Sequence, residues 1–178
     1  ILVGAMANNF LAYKNYEIGK SIKEDGSRDI IKNILNEAEK FKCQIIVPID
    51  CSVSKSFNGK ASFKQADTIE KDDIILDIGP KTLEIIEEII DLSNTVLWNG
   101  PAGYFENKEF SVGTNSIALK ISQNTKQKTL ISILGGGDTI SAVNSSQLQL
   151  SFTHLSTAGG AFLEYLEGKD LPGLRVLK

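Results

Sequence analysis

Two patterns of apolar residues alternate along the chain, one typical of strands and one typical of helices. Short apolar runs, typical of strands covered on both faces, are separated by segments whose apolar residues repeat every three or four positions, as in amphipathic helices. The predicted strands, in chain order, cover residues 1–3, 43–48, 74–78, 95–98, 129–134 and 152–154. The predicted helices cover residues 6–14, 28–41, 82–92, 115–122, 139–144 and 157–166. Ser27 is expected to cap the second helix, and the turn signal Asn58-Gly59 predicts a hairpin between residues 53–57 and 61–63.

Strands that alternate with helices predict an α/β fold, because parallel strands need a long crossover connection between them. We expect a three-layer α/β/α sandwich with a mainly parallel, doubly wound, Rossmann-like sheet. The 178 residues are enough to bury a core, and a single domain over residues 1–178 is expected. The chain begins without Met, inside a predicted strand, and we therefore expect it to be a fragment of a longer protein.

Glycines follow the fifth predicted strand. The run Gly135-Gly136-Gly137-Asp138-Thr139 lets the backbone turn tightly, and the next helix is predicted to begin at Asp138 or Thr139. Free amides at a helix N-terminus bind phosphate, and a carboxylate such as Asp138 is a ligand that Mg²⁺ accepts. A purely structural turn is the alternative, and the spacing alone favours neither. Three glycines are, however, more than a helix cap needs.

Two further strand ends carry candidate residues. Asn99 ends the fourth predicted strand, where its amide can hydrogen-bond a phosphate oxygen, and Glu106 follows in a loop, where a carboxylate can accept from ribose hydroxyls. A turn with a solvated charge is the alternative there, and composition alone favours it by about two to one. Residues 156–160 again place small residues between a strand and a helix, as a ligand-facing helix N-terminus or as a capped and closely packed one.

Charge and composition argue against several classes of protein. The net charge is −3, with positive and negative residues mixed along the chain, and no basic stripe indicates a nucleic-acid partner. No apolar run reaches the length of a membrane span. The two cysteines and the single histidine form no disulfide framework or metal-ligand spacing, which fits a reducing, cytoplasmic compartment. Cys43 and Cys51 are both expected to be buried.

The common nucleotide-binding motifs do not match. A Walker A loop ending at Gly19-Lys20-Ser21 would need glycine where the chain has Lys14. A Gly-x-Gly-x-x-Gly motif that starts at Gly135 reaches Ile140 in its sixth position. The set of protein-kinase motifs is absent from the sequence. Any phosphate-binding loop in this chain is therefore of another kind.

A series of short motifs nevertheless runs through the whole chain. They are Gly4-Ala5-Met6-Ala7-Asn8-Asn9-Phe10-Leu11, Gly19-Lys20-Ser21, Leu76-Asp77-Ile78-Gly79-Pro80, Trp98-Asn99-Gly100-Pro101 with Phe105-Glu106, Gly135-Gly136-Gly137-Asp138-Thr139, Ser156-Thr157-Ala158-Gly159-Gly160-Ala161 and Leu171-Pro172-Gly173. In this order they resemble the carboxyl-terminal, nucleotide-binding domain of the phosphoglycerate kinase family. Each motif alone is weak, but the combination is highly specific.

The resemblance implies a glycolytic enzyme that moves a phosphoryl group reversibly between 1,3-bisphosphoglycerate and ADP, with Mg²⁺, to give 3-phosphoglycerate and ATP. The nucleotide-binding residues that it implies are Gly4, Ala5, Asn99, Pro101, Tyr104, Glu106, Gly135, Gly136, Gly137, Asp138 and Thr139. Gly4 and Ala5 would line the adenine slot, and Glu106 would hold the ribose. Asp138 would hold the magnesium–nucleotide. Three glycines would face the transferring group as catalytic residues, namely Gly137, Gly159 and Gly160.

The resemblance also implies partners outside these residues. Both phosphoglycerates would bind an amino-terminal domain that the chain lacks, and the family's lysine-bearing segment would precede Ile1. We therefore expect weak nucleotide binding, no turnover by the isolated chain, and a monomer. Ala5, Ala158 and Tyr104 depart from the family pattern, and these departures put the affinity for nucleotide in question rather than the function. Two alternatives stay open: another doubly wound protein that binds nucleotides or sugar phosphates, and a scaffold without catalysis.

Overall fold

The computed structural model describes residues 1–176, and the last two residues of the predicted domain, Leu177 and Lys178, lie outside the described residues. The chain divides into two compact units. The first contains Ile1–Ile89 and Pro101–Ile117, and the second contains Ile90–Gly100 and the chain from Ala118 onward. The expectation of one nucleotide-binding domain over the whole chain stays a prediction. Within the described part of the chain, no helix is both long and apolar enough to cross a membrane.

The first unit contains an antiparallel sheet with the strand order β2-β1-β3. Its strands are β1 (Asp50–Ser54), β2 (Ser62–Gln65) and β3 (Ile74–Ile78). β1 and β2 form the predicted hairpin, in which Val53 lies opposite Ser62. The helices are α1 (Gly4–Tyr13), α2 (Arg28–Lys40), most of α3 (Pro80–Leu92), a 3₁₀ turn (Lys108–Phe110) and the start of α4 (Val112–Lys126).

The second unit contains a parallel sheet with the strand order β4-β5-β6. Its strands are β4 (Thr95–Asn99), β5 (Ile131–Gly135) and β6 (His154–Leu155). Its helices are α5 (Gly137–Ser145), α6 (Gly160–Leu166), α7 (Pro172–Arg175) and the remaining residues of α3 and α4. β4 and β5 are paired over their whole length, from Thr95 opposite Ile131 to Asn99 opposite Gly135. The parallel pairing predicted for most of the sheet is therefore found, among the described strands, only in this unit.

Two of the predicted strands are wrong. Residues 1–3 and 43–48 are irregular, and the two segments are joined by a hydrogen bond from the Leu2 amide to the Ile46 carbonyl, at 2.8 Å. The apolar run at 43–48 predicts a strand covered on both faces, but Ile45, Ile46 and Val47 are only partly buried. An apolar run indicates that a segment prefers to be buried. It does not show that neighbouring strands are available for hydrogen bonding, which a strand requires.

The second helix also differs from its prediction. Ser27 does not cap α2 with its side chain, because its hydroxyl donates to the Glu24 carbonyl at 3.1 Å. The periodic apolar residues do form a helix, but only Ile31 is buried, while Ile30 and Phe41 are 62% and 69% exposed. The helical repeat of apolar residues therefore predicted the helix correctly. It did not show that most of the apolar face of α2 is exposed to solvent.

Asp50 explains why α3 begins where it does. Its carboxylate accepts from the backbone amides of Lys81, at 3.0 Å, and Thr82, at 2.8 Å, in the first turn of the helix. These amides have no partner inside a helix, so a buried carboxylate satisfies them and lies at the positive end of the helix dipole. Gly79 precedes this turn, and a β-carbon there would lie 2.3 Å from the Asp50 carboxyl carbon. Only glycine fits, and Pro80 then starts the helix.

The two cysteines lie in different environments, so the expectation that both are buried holds for one alone. Cys51 is fully buried in β1, and Cys43 is exposed. Burial, with the nearby Asp50 and Asp77 carboxylates, raises the pKa of the Cys51 thiol to about 12. We expect one fast-reacting thiol per native chain in a thiol titration, with the second reacting only after unfolding. A Cys43→Ser variant should show no fast phase, and a fast phase in that variant would contradict the burial of Cys51.

Asp73 is the buried centre of an ionic cluster that ties the β1–β2 hairpin to the turn before β3. Its side chain is 1% exposed and accepts from the Nζ atoms of Lys55 and Lys64, both at 2.8 Å, and from the Glu70 amide at 2.7 Å. Burial acts to raise the pKa of Asp73, but these three donors outweigh it and lower the pKa to about 2. Its carboxylate is therefore held in the charged form.

Acid should weaken this cluster. Since the pKa of Asp73 is lower in the folded state, its contribution to stability is present above about pH 4 and is lost as the pH falls towards 2. Asp73→Asn should lower the free energy of unfolding by about 2 kcal/mol at pH 7 and flatten its dependence on pH in that window. Urea unfolding between pH 2 and 7 measures both. Asp72→Asn, at an exposed carboxylate of the same cluster, is the control and should change little.

Candidate functional site

The carboxyl ends of β4, β5 and β6 lie at one edge of the parallel sheet. Asn99 pairs with Gly135 in the β4–β5 register, and Leu134 pairs with Leu155 in the β5–β6 register. The Ser156 amide donates to the Leu134 carbonyl at 2.7 Å. The structure therefore brings together, within the second unit, the three turns that the sequence predicts: Asn99 with Gly100, Gly135 to Thr139, and Ser156 to Gly160. Ligands bind at this edge in parallel α/β sheets.

Gly136 makes the turn between β5 and α5. It has φ 87° and ψ 137°, a conformation that L side chains rarely adopt, and it precedes the first helical residue, Gly137. A β-carbon on Gly136 would lie 2.8 Å from the Asn99 Oδ1 atom, whereas one on Gly137 would meet nothing within 4 Å. The space in front of the α5 N-terminus is therefore open, and Asn99 forms one side of it. Free amides in this position attract an anion.

Gly100 is fixed on both sides by side chains of the same unit. Its amide donates to the Thr139 hydroxyl at 2.6 Å, and its carbonyl accepts from the Trp98 indole at 2.7 Å. Gly100 has φ 97°, which again favours glycine. These two hydrogen bonds tie the residue after Asn99 to the first turn of α5. Sequence reasoning missed them, because residues 100 and 139 lie far apart in the chain and no local pattern joins them.

Asp138 and Thr139 sit in the first turn of α5 with opposite exposure. Asp138 is exposed, and no hydrogen bond or ion pair occupies its carboxylate among the described residues. Its position at the helix N-terminus favours negative charge. Thr139 is fully buried, and its hydroxyl accepts from Gly100. Since the side chain has no exposed surface in this structure, its predicted contact with phosphate stays a prediction.

The remaining predicted glycines of this edge differ in their surroundings. A β-carbon on Gly135 would lie 2.4 Å from the Phe162 ring of α6, so close packing alone requires glycine there. Gly159 has φ 55° and precedes α6, which starts at Gly160, and neither glycine would meet any atom within 4 Å if it carried a β-carbon. The backbone at Gly159 and Gly160 is therefore open to approach.

The first unit holds the other predicted residues. Gly4 has φ 61° and begins α1, and a β-carbon there would lie 3.1 Å from the Pro101 carbonyl oxygen. Ala5 is exposed next to it. The structure thus places Gly4 beside Pro101, at the start of the loop of residues 101–107. The positive φ and the close Pro101 carbonyl together favour glycine at position 4, independently of any contact between Gly4 and a ligand.

The 101–107 loop carries Tyr104 and Glu106. The Tyr104 amide donates to the Leu76 carbonyl at 2.7 Å, and its ring meets the Phe57 ring edge-on, with the centroids 5.5 Å apart. Glu106 is exposed, and its carboxylate has no hydrogen bond or ion pair within the described part of the chain. The backbone of this loop is ordered by neighbouring elements while one carboxylate stays free to accept from a ligand.

Two buried residues behind this loop were missed by the sequence reasoning. Asp77 in β3 is 3% exposed and accepts from the amides of Ile78 and Gly113, both at 2.8 Å. Burial raises the pKa of Asp77 to about 7, although the two amides act to lower it. Thr114, in the first turn of α4, is 1% exposed. Asp77 lies within one of the motifs that carry the resemblance, but no role followed from that, and an acidic residue inside the apolar run at 74–78 is a second signal that could have identified it.

The parallel sheet, with glycine turns and a free carboxylate at its carboxyl edge, defines an α/β protein of the Rossmann-like class. The chain belongs to the phosphoglycerate kinase family, because the model of the family described as "Phosphoglycerate kinase" matches residues 1–169. This confirms the family that the motifs indicated.

Individual relatives agree with the family match. The chain is 41% identical to the phosphoglycerate kinase of Chelativorans sp. (strain BNC1) and 45% identical to that of Dictyoglomus turgidum, over 100% of this chain and 45% of each relative. The solved structure of phosphoglycerate kinase from Coxiella burnetii superposes with a TM-score of 0.90 at 36% identity, and covers 99% of this chain and 45% of that one. The predicted α/β class is confirmed. The chain spans about half the length of the curated relatives that it matches.

Proposed function

We propose that this chain is the ADP- and ATP-binding part of a phosphoglycerate kinase. The reaction is the reversible, magnesium-dependent transfer of a phosphoryl group between 1,3-bisphosphoglycerate and ADP, which gives 3-phosphoglycerate and ATP. The two phosphoglycerates are proposed to bind residues outside this chain, since the chain corresponds to 45% of its relatives' length. A cytoplasmic location and a monomeric state are part of the same proposal.

One observation carries the proposal: Asn99 and the open N-terminus of α5 lie side by side at the carboxyl edge of the sheet. In this arrangement the amides of Gly136 and Gly137 and the Asn99 side chain donate to phosphate oxygens. These are donors for a chain of phosphates, and no side chain in the proposal acts as a nucleophile. Thr139 is proposed to support the same phosphate-binding turn by holding Gly100 through its buried hydroxyl.

The residues present suit Mg²⁺ bound together with a nucleotide. Asp138 offers an exposed carboxylate without a protein partner in the described residues, and Mg²⁺ prefers oxygen ligands that it shares with phosphates. Mg²⁺, when bound, neutralises charge on the transferring phosphates. Asp138 holds the metal–nucleotide at the α5 N-terminus, where the helix amides also face the phosphates.

The chain's own part in the transfer is to position the phosphoryl group and to stabilise charge. Phosphoryl transfer depends mainly on alignment and on donors aimed at the equatorial oxygens. The backbones at Gly137, Gly159 and Gly160 are open to such an approach, because a β-carbon at any of them would meet no protein atom within 4 Å. Each is proposed to donate its amide to the moving group.

Contacts to the nucleoside are proposed for a further set of residues. Glu106 accepts from the ribose hydroxyls through its free carboxylate, and Gly4 with Ala5 lines the adenine slot. Pro101 and Tyr104 complete this set, and Tyr104 offers a partly exposed ring for an apolar contact with the nucleotide.

Calorimetric titration of the chain with ADP, with and without Mg²⁺, tests the proposal. We expect binding that is stronger with Mg²⁺. Trp98, the single tryptophan, adjoins Asn99 and bonds Gly100, so its fluorescence should change on titration with Mg·ADP. Absence of nucleotide binding would contradict the proposal. Binding of inorganic phosphate and pyrophosphate without any preference for ADP would instead indicate a general phosphate-binding protein.

A further inference from the structure

Glu106 has to be held at a defined place if it is to accept from a ribose, and within the described residues no hydrogen bond or ion pair holds its carboxylate. We propose that Thr114 is a positioning residue that fixes the 101–107 loop and thereby sets the affinity for the nucleoside part of ADP. This inference rests on the proposed function. It adds a residue that no motif or pattern in the sequence had indicated.

Thr114 binds the backbone of the 101–107 loop at two successive residues. Its hydroxyl oxygen accepts from two successive backbone amides of the loop, from Ala102 at 2.9 Å and from Gly103 at 3.3 Å. A hydroxyl oxygen has two lone pairs, so both acceptor positions are used. Thr114 is 1% exposed and Ala102 is equally buried, so water does not replace these bonds if they are lost.

The backbone next to Thr114 is itself fixed by a hydrogen bond to β3. It follows Gly113, whose amide donates to the buried Asp77 carboxylate at 2.8 Å. A β-carbon on Gly103 or on Gly113 would lie 2.6 Å or less from an atom of the Asp77 side chain. Asp77 therefore contacts both the loop and the first turn of α4 directly, and it fixes the distance between them. The Tyr104 amide, bonded to Leu76, attaches the same part of the loop to β3.

The far end of the loop has separate attachments. The Asn107 side chain donates to the Phe57 carbonyl at 2.9 Å and accepts from the Glu109 amide at 3.0 Å. The loop is thus held at residues 102–104 and again at residue 107, on either side of Glu106. A loop held this closely on both sides, whose one carboxylate has no partner among residues 1–176, is preorganised to bind a ligand. Preorganisation lowers the entropy that binding has to overcome.

A second buried threonine with the same kind of contacts serves as a control. It distinguishes a role of Thr114 in ligand binding from a role in stability alone. Thr82 is also buried, and its hydroxyl also accepts from two successive backbone amides, Ile49 at 3.0 Å and Asp50 at 3.2 Å. It lies in the same unit, but the backbone that it holds carries none of the proposed ligand residues. Thr82→Val is therefore expected to cost stability without changing affinity for ADP in the folded protein.

The experiment compares Thr114→Val, Thr114→Ser and Thr82→Val for binding of Mg·ADP and of magnesium pyrophosphate by calorimetry, below the unfolding temperature of each variant. Valine keeps the volume of threonine and removes the acceptor. We expect Thr114→Val to raise the Kd of ADP about fivefold and to leave that of pyrophosphate unchanged. Thr114→Ser should restore the affinity. Amide hydrogen exchange at Ala102 and Gly103 should accelerate in the valine variant alone.

Glu106→Ala distinguishes a failure of the inference from a failure of the proposed function. If Thr114 acts through Glu106, the effect of Thr114→Val on the Kd of ADP should disappear in the Glu106→Ala background. If Glu106→Ala weakens ADP binding and Thr114→Val does not, the positioning role is overturned. An equal loss of pyrophosphate binding in Thr114→Val would also overturn it. If Glu106→Ala itself changes nothing, the proposed function fails at its ribose contact.

Discussion

Replacing Asp138 with asparagine is expected to abolish the effect of Mg²⁺ on ADP binding. The substitution keeps the size of the side chain and removes the charge, so the metal loses its one proposed protein carboxylate. We expect the Kd of ADP in Mg²⁺ to rise about a hundredfold, to the value measured without metal, because a charged ligand bond is replaced by a neutral one. Calorimetric titrations with ADP over a series of Mg²⁺ concentrations measure this directly.

The control for Asp138 is Asp29, which is likewise an exposed aspartate in the first turn of a helix. Asp29→Asn removes the same favourable interaction with a helix dipole, so it matches any general effect on helix stability. It should leave ADP binding and its Mg²⁺ dependence intact. If Asp138→Asn keeps the full Mg²⁺ effect, the proposed metal contact is wrong.

Glu106→Ala is the second large effect that we expect. The variant removes a carboxylate that is proposed to accept from both ribose hydroxyls, and hydrogen bonds to a charged acceptor are the stronger kind. The Kd of ADP should rise about a hundredfold while the Kd of magnesium pyrophosphate, which has no ribose, stays the same. Because the Glu106 side chain has no partner within the described part of the chain, stability to urea should not fall.

An exposed glutamate elsewhere in the same unit controls for the change in net charge. Glu84 lies in α3, is exposed and has no hydrogen bond or ion pair within the described residues. Glu84→Ala should bind ADP as the unchanged chain does. A loss of pyrophosphate binding in Glu106→Ala, equal to the loss of ADP binding, would show that Glu106 acts on the phosphates or on the fold rather than on the ribose.

The sequence predicted the elements of the second unit well, because its signals are local. Apolar runs that end at Asn99 and Gly135 identified two strands of a parallel sheet, although not that they are neighbours, and the glycine run identified the turn into α5. The first unit was harder. Its hairpin was predicted from the turn signal, but periodicity does not encode strand partners, so the antiparallel pairing of β1 with β3 was not foreseen.

The residues that we propose to position the candidate site could not be predicted from local sequence signals. Thr114 accepts from Ala102, and Asp77 accepts from Gly113, across gaps of 12 and 36 residues. Such bonds depend on which elements the fold packs together, and a threonine at the start of a helix has the same local signature whether it caps, clamps or faces solvent. Some glycines look like site residues in the sequence although packing accounts for them: Gly135 is required by the Phe162 ring, and Gly103 by the Leu76 carbonyl and the Asp77 side chain.

The alternation of the two units along the chain has a consequence for synthesis on the ribosome. The first unit is not complete at Ile89, because its last segment, Pro101–Ile117, follows a segment of the second unit. That last segment carries Phe110, which is fully buried in a cluster with Ile74 and Leu76 of β3. During elongation, the surface of these β3 side chains that Phe110 covers in the folded unit stays exposed until Phe110 emerges. The nascent chain therefore exposes apolar surface over this interval, and this is the stage at which a chaperone would bind it most readily.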